Sequence, residues 1–257
     1  MFEHIRTNDG HSIPLLYERS EPGGGRRLTI LSHGIFTDKH EKGRFDRLSA
    51  RLLDSGSDVI RFDFRGHGQS SLSSSHFSVT GALIDLETIC SSPLVSQYDD
   101  VNVIGSSFGG SIVLLYLGIP KHLKFRKMVF LNPVVDYKRT FTQADLEWGQ
   151  EIFSSKVIEQ LLSEGVAVVT ESFRMSIDCF HQLLFINPYE EIKKIDTPTL
   201  IFHGDHDDKV SCQITRDHFK ASDLISIDIV NQAGHAFKSP THEEYVHRNT
   251  VSWISND

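Results

Sequence analysis

The chain has 257 residues, 39% apolar and 23% charged, which suits one folded unit with a full core and is ordinary for a soluble globular protein. Its formal net charge of −8 argues against a nucleic-acid partner. No run reaches eighteen apolar residues, so a membrane-spanning helix is excluded on length. The N-terminal residues 1–18 lack the charged-then-apolar layout of a secretory leader. Cys90, Cys179 and Cys212 are odd in number, far apart and without a CxxC pair, which predicts a reducing, cytoplasmic compartment and no disulfide framework. The histidines are mostly isolated and no Cys/His cluster has zinc-ligand spacing, so neither a metal nor another cofactor is expected.

In chain order, residues 3–6 and 13–17 read as strands flanking Asn8-Asp9-Gly10, a hairpin turn signal. A flexible loop follows at 21–25, then a buried strand at 27–32 that ends in His33-Gly34-Ile35-Phe36. Apolar residues at 45, 48, 52 and 53 make 44–53 a helix, closed by Asp54-Ser55-Gly56, and 58–64 is the next strand. Residues 65–78 form a Gly- and Ser-rich loop, and 79–91 a helix. A strand at 101–104 and a buried helix at 111–117 enclose Gly105-Ser106-Ser107-Phe108-Gly109. After a strand at 127–131 the pattern changes: 142–162 reads as helical, 165–170 as a short strand or turn, and 173–186 as helical again. Alternation returns with a strand at 199–202, a helix at 211–219, a strand at 225–230 and a helix at 242–253. This predicts an α/β fold, a mostly parallel central sheet with helices on both faces, in one domain over residues 1–257. The interruption at about 134–190 reads as a mainly helical cap inserted at the strand C-termini.

Strand, Gly-x-Ser-x-Gly, helix is the context of a nucleophile elbow, in which a sharp turn exposes the serine hydroxyl beside the free N–H groups of a helix start. The pentapeptide alone is a weak signal; its flanks carry the argument. A serine hydroxyl needs a base, and the base needs an acid to fix its tautomer. His203-Gly204-Asp205-His206-Asp207-Asp208 and Gly234-His235 each follow a strand directly, so both fall on the sheet edge where Ser107 lies. Asp205, Asp208 and Asp136 stand as alternatives to Asp207 for the acid.

The chain resembles the α/β-hydrolases, and within them small bacterial serine esterases of the cinnamoyl/feruloyl esterase-like group. The matching residues are His33-Gly34-Ile35-Phe36-Thr37, residues 61–70 (RFDFRGHGQS), residues 105–109, His203-Gly204 with Asp207 and Val210, and Gly234-His235. The resemblance implies an α/β-hydrolase fold with Ser107, Asp207 and His235 as catalytic residues, and the backbone N–H groups of Ile35 and Phe108 as the oxyanion hole. His33 and the 63–67 segment are expected to brace the site, with Asp63 and Arg65 pairing locally, while Ser106, Ser111 and Cys179 are read as packing or surface residues.

The expected activity is hydrolysis of carboxylic esters of small or medium acyl groups, aromatic ones among them, through an acyl-enzyme. The expected partner is a small-molecule ester or thioester, with the chain acting as monomer or homodimer and with no nucleic acid. The same residues would serve a thioesterase or acyltransferase, a peptidase or a lactone hydrolase. A non-catalytic binding protein is disfavoured by the presence of all three side chains, and a haloalkane dehalogenase by Ser107 where an aspartate would stand. Of the cap aromatics Phe141, Trp148, Phe153, Phe173, Phe180 and Phe185, most are expected in the cap's own core, with one or two facing a pocket.

Overall fold

A computed structural model of the chain describes residues 2–21 and 27–256. The loop expected at 21–25 therefore falls, beyond Glu21, outside the described residues. Phe2–Arg6 (β1) and Ser12–Glu18 (β2) pair antiparallel, with Ile5 opposite Ile13. Arg27–Ser32 (β3), Arg44–Asp54 (α1), Asp58–Phe62 (β4), Val79–Cys90 (α2), the short Pro93–Ser96 (α3), Asp100–Ser106 (β5) and Phe108–Leu117 (α4) follow. After Met128–Leu131 (β6) come Glu147–Ile152 (α5), Ser155–Glu164 (α6), Val166–Thr170 (β7), Phe173–Ser176 (β8) and Ile177–Phe185 (α7). Thr199–Gly204 (β9), Cys212–His218 (α8), Ile225–Val230 (β10) and Pro240–Ser255 (α9) complete the elements.

The main sheet has eight strands among the described residues, in the order β1-β2-β4-β3-β5-β6-β9-β10. From β4 to β10 all neighbours are parallel; β2 runs antiparallel to β1 and to β4. Burial on both faces explains the unbroken apolar runs in its strands. Val101 and Val103 face a cluster with Leu86 of α2 and Ile112 of α4, whereas Ile104 faces Leu48 of α1 and Ile254 of α9. The connection from β3 through α1 reaches β4 on one side, and the next, through α2, returns past β3 to β5 on the other. The C-terminal ends of β3 and β5 therefore flank the point where the winding reverses, the crevice at which such sheets receive ligands. No helix among the described residues is long and apolar enough to cross a membrane.

The segment between β6 and β9 departs from the sequence reading in two places. The helix expected over 142–162 is divided into a π-helical turn at Lys138–Thr142, then α5 and α6. A side chain at Gly149 would meet the Thr140 carbonyl oxygen at 2.2 Å, so the chain folds back on itself there instead of running on. The helix expected over 173–186 starts only at Ile177, because β8 pairs with β7 as an antiparallel hairpin. Phe173 and Met175 are buried while Arg174 is exposed, a period-two pattern that the apolar content of the segment masked. Ser176 then caps α7 by accepting from the Cys179 N–H at 3.2 Å.

The hairpin locks onto the sheet through aromatic contacts. Phe173 lies 4.9 Å from Phe36, 5.0 Å from His67 and 5.8 Å from Phe77, ring centre to ring centre. His67 is 5% exposed, and its burial, with His33 close by, pushes the imidazole down to about 3. In the unfolded chain the same ring takes a proton near pH 6.5. His67 therefore contributes fully to stability above about pH 6.5, and the contribution is lost as pH falls towards about 3. Thermal melts from pH 7 to pH 4.5 are expected to show a falling midpoint, and His67→Gln a shallower fall than the wild-type chain.

Candidate active site

Ser107 sits between β5 and α4 with φ 50° and ψ −117°, a conformation that L-residues rarely adopt. Its N–H donates to the Leu131 carbonyl at 2.9 Å, and its own carbonyl accepts from Val134 at 3.0 Å and Gly110 at 3.1 Å, so β6 and the residues just after it hold the turn from both sides. The turn is tight because neighbouring backbones nearly touch. A Cβ on Gly109 would stand 2.2 Å from the Ser32 oxygen, and one on Gly105 would stand 2.7 Å from Gly110 Cα.

His235 lies in the loop between β10 and α9, and Asp207 in the loop between β9 and α8, both beyond the C-terminal ends of parallel strands as Ser107 is. The structure brings the three together. The Ser107 hydroxyl lies 3.0 Å from His235 Nε2, and His235 Nδ1 lies 2.7 Å from Asp207 Oδ2. With the carboxylate at Nδ1, that nitrogen carries the proton and donates, leaving Nε2 to accept from the serine. Asp207 is saturated: Oδ1 accepts from the N–H groups of Lys209 and Val210, each at 2.9 Å. Burial works to raise its carboxyl, but the charge and hydrogen bonds of His235 and His203 prevail and hold it well below the usual carboxylate range.

The alternatives for the acid lie elsewhere. Asp205 accepts from the Gln232 N–H at 2.6 Å and ties down the start of the His235 loop. Asp208 is exposed, and Asp136 accepts from the Arg139 N–H and faces His218 at 3.3 Å. His203 is fully buried between Thr215 and the Val210 carbonyl, 3.4 Å from Asp207.

The loop after β3 passes close to the serine, and a Cβ on Gly34 would be 3.2 Å from Ser107 Cβ. Ile35 lies in this loop and Phe108 opens α4, so both backbone N–H groups belong to segments that border Ser107. His33 fixes the loop: its Nδ1 donates to the Gly34 carbonyl at 2.7 Å and its Nε2 accepts from the Phe64 N–H at 3.1 Å. Asp63 and Arg65, expected as a local pair, take other partners. Asp63 binds Lys39 at 2.6 Å and Arg65 binds Asp85 at 2.7 Å, because the turn through residues 63–68 sends the two side chains apart.

Two contributions escape a reading by motif. Ser106, read as packing, accepts from Arg44, which bonds Glu41 at 3.0 Å; Glu41 in turn accepts from the Gly34 N–H. This chain joins the elbow to the loop that carries Ile35. Asn132, at the end of β6, is wholly buried with φ 45°. Its side-chain oxygen accepts from the Gly204 N–H at 2.8 Å, and its amide donates to the His235 carbonyl. Asn132 thus binds the strand leading to Asp207 and the loop bearing His235. An asparagine closing a strand is a faint signal, since the residue tolerates left-handed φ for many reasons.

A cavity of about 530 Å³ opens over Ser107 and His235, bordered by Ile35, Phe36, Trp148 and several charged residues. Of the aromatics expected in the cap, Trp148 borders it and Phe173 packs against Phe36, itself a lining residue; Phe141, Phe153 and Phe180 pack among themselves, and Phe185 is exposed. Among the described residues, no group of three or more His, Cys, Asp or Glu side chains has the arrangement of metal ligands.

Residues 25–170 match the family model described as Hydrolase_4, serine aminopeptidase S33. The chain is 25% identical over 246 residues to an uncharacterized abhydrolase domain-containing protein of Dictyostelium discoideum, covering 86% of this chain and about a quarter of that relative's length. Est1E of Butyrivibrio proteoclasticus, solved with ferulic acid bound, superposes with a TM-score of 0.81 at 18% identity over 98% of this chain and 97% of that one. An esterase of Exiguobacterium antarcticum gives a TM-score of 0.75 at 18% identity, with both chains fully covered. At this identity the likeness is one of fold, and the fold is that of the α/β-hydrolases.

Asn132→Asp keeps the acceptor for Gly204 and replaces the donor to the His235 carbonyl with a repelling oxygen. The rate at which a fluorophosphonate probe labels Ser107 is expected to fall roughly tenfold or more, in line with a buried hydrogen bond worth about 1–3 kcal/mol once broken.

Proposed function

The chain belongs to the serine aminopeptidase S33 family of hydrolases, and from that membership and the geometry at Ser107 we propose that it cleaves carboxylic esters of small or medium acyl groups as a serine hydrolase. The reading rests on one observation above the others: an unbroken hydrogen-bonded line from the Ser107 hydroxyl through His235 to a buried, ionised Asp207. His235 Nε2 takes the serine proton as Oγ attacks the ester carbonyl. Asp207 holds the ring in the required tautomer and stabilises the imidazolium that forms. The oxyanion settles between the N–H groups of Ile35 and Phe108, where each such donor contributes about 3 kcal/mol. His235 then passes its proton to the leaving alcohol. A water, deprotonated by the same ring, releases the acid from Ser107.

In this reading residues 1–257 form one domain, and the insertion at about 134–190 acts as a cap that roofs the serine. The position of Trp148 on the cavity wall and of Phe173 against Phe36 supports that role. A p-nitrophenyl butyrate assay, paired with a short acyl-CoA, separates an esterase from a thioesterase.

Ser107→Ala is expected to remove turnover by roughly 10⁶-fold with the thermal midpoint within a few degrees of wild type. Asp207→Asn is expected to cost roughly 10⁴-fold in kcat, since an amide cannot hold the imidazole tautomer. Asp208→Asn changes the rate less than about twofold, because the side chain is exposed and outside the hydrogen-bonded line. A large effect at 208 with a small one at 207 would reassign the acid.

A further inference from the structure

The charge at the mouth of the Ser107 cavity runs against that of the chain. The whole chain carries a formal −8, yet the cavity is bordered by Lys42, Lys209 and Lys238 along with two arginines and three glutamates. Four of these charges cancel in place: Arg44 pairs with Glu41 at 3.0 Å and Arg47 with Glu243 at 2.5 Å. What is left is three lysines against Glu171. Among the described residues Lys42 and Lys238 have no ion-pair partner, and Lys209 lies 5.4 Å from the centre of the Trp148 ring, which leaves its ammonium charge uncancelled. The three come from separate loops: the segment before α1, the Asp207 loop and the His235 loop. Lys42 is held there by an uncommon backbone. Glu41, Lys42 and Gly43 all have positive φ, at 49°, 56° and 87°, a run that non-glycine residues adopt only at a cost.

Three ammonium groups around a hole in an otherwise acidic surface create a local positive potential, strengthened by the low-dielectric walls of the cavity. We infer that the ester cleaved at Ser107 carries an anionic substituent, a carboxylate or a phosphate, which the ring of Lys42, Lys209 and Lys238 receives at the cavity mouth. This inference rests on the proposed hydrolase reading and narrows its substrate class. The same three charges repel the terminal ammonium of a peptide, which sets the site apart from that of an aminopeptidase.

The experiment pairs neutral and anionic esters with the same scissile group. In the acyl arm, p-nitrophenyl butyrate is compared with the mono-p-nitrophenyl ester of glutaric acid. In the alcohol arm, monobutyrin is compared with its 3-phosphate, following butyrate release. At low ionic strength the anionic member of at least one pair is expected to be favoured roughly tenfold in kcat/KM, with the gap narrowing as salt shortens the Debye length. The Lys42→Gln, Lys209→Gln, Lys238→Gln triple variant is expected to bring the ratio close to one, and Glu171→Gln to raise it. A preference confined to the first pair places the anion on the acyl side; one confined to the second places it on the alcohol side. Neutral esters turned over as well as both anionic partners, with no response to salt or to the lysine changes, would overturn the inference and leave the hydrolase reading intact. Failure of all four esters would instead remove the reading on which it rests.

Discussion

The structure depends on a reversal made at a single residue. At Ser107 the chain leaves β5 and enters α4 with positive φ and negative ψ, a sparsely populated state that costs an L-residue on the order of 1–3 kcal/mol. Backbone hydrogen bonds to Leu131 at the end of β6, to Val134 just after it and to Gly110 of α4, with the close approach of two glycines to neighbouring backbone, hold it there. Because the serine cannot shift, everything that must meet it is located by reference to it. The loop after β3 is pinned through Ser106, Arg44 and Glu41, and the loops of Asp207 and His235 are tied together by Asn132.

Charges near this point fall into two groups with different physics. Asp207, Asp63 with Lys39, and Asp85 with Arg65 are dehydrated, and each is matched by donors in fixed geometry. Such pairs add little net stability because desolvation offsets attraction, but losing one partner leaves a buried charge alone. They hold loops in one arrangement. At the cavity rim Lys42 and Lys238 are exposed and Lys209 is half-buried against Trp148; charges in such positions act over distance and are screened by salt, and none of the three is locked into a buried pair.

The sheet was legible in the sequence because both of its faces are buried: short apolar runs bounded by Gly, Asp and Asn have few other solutions. Ser107 and His235 stood out because each follows such a run within a few residues, whereas Asp207 was separated from Asp205, Asp208 and Asp136 only by the family resemblance. The segment from 138 to 185 was harder. Its apolar residues serve two layers, its own small core and the roof over the sheet, so spacing alone did not tell the Phe173–Ser176 strand from a helix turn. Asn132 and the Ser106–Arg44–Glu41 line were invisible for another reason. The contacts that tie them to the elbow and to the Asp207 and His235 loops, Arg44 to Ser106 and Asn132 to Gly204 and His235, span 62 to 103 positions along the chain, and no local pattern encodes them.

The aromatic plug at Phe173 bears on how firmly the β7–β8 hairpin is held down. Its ring is 4% exposed and wedged among Phe36, His67 and Phe77. Swinging the hairpin outward would bring that ring into water at a cost of about 2–3 kcal/mol, before any other contact is counted. That ring alone biases the hairpin toward its seated position by a population ratio on the order of a hundred, so the β7–β8 ribbon works as a weighted latch: seated nearly always, yet within reach of brief release.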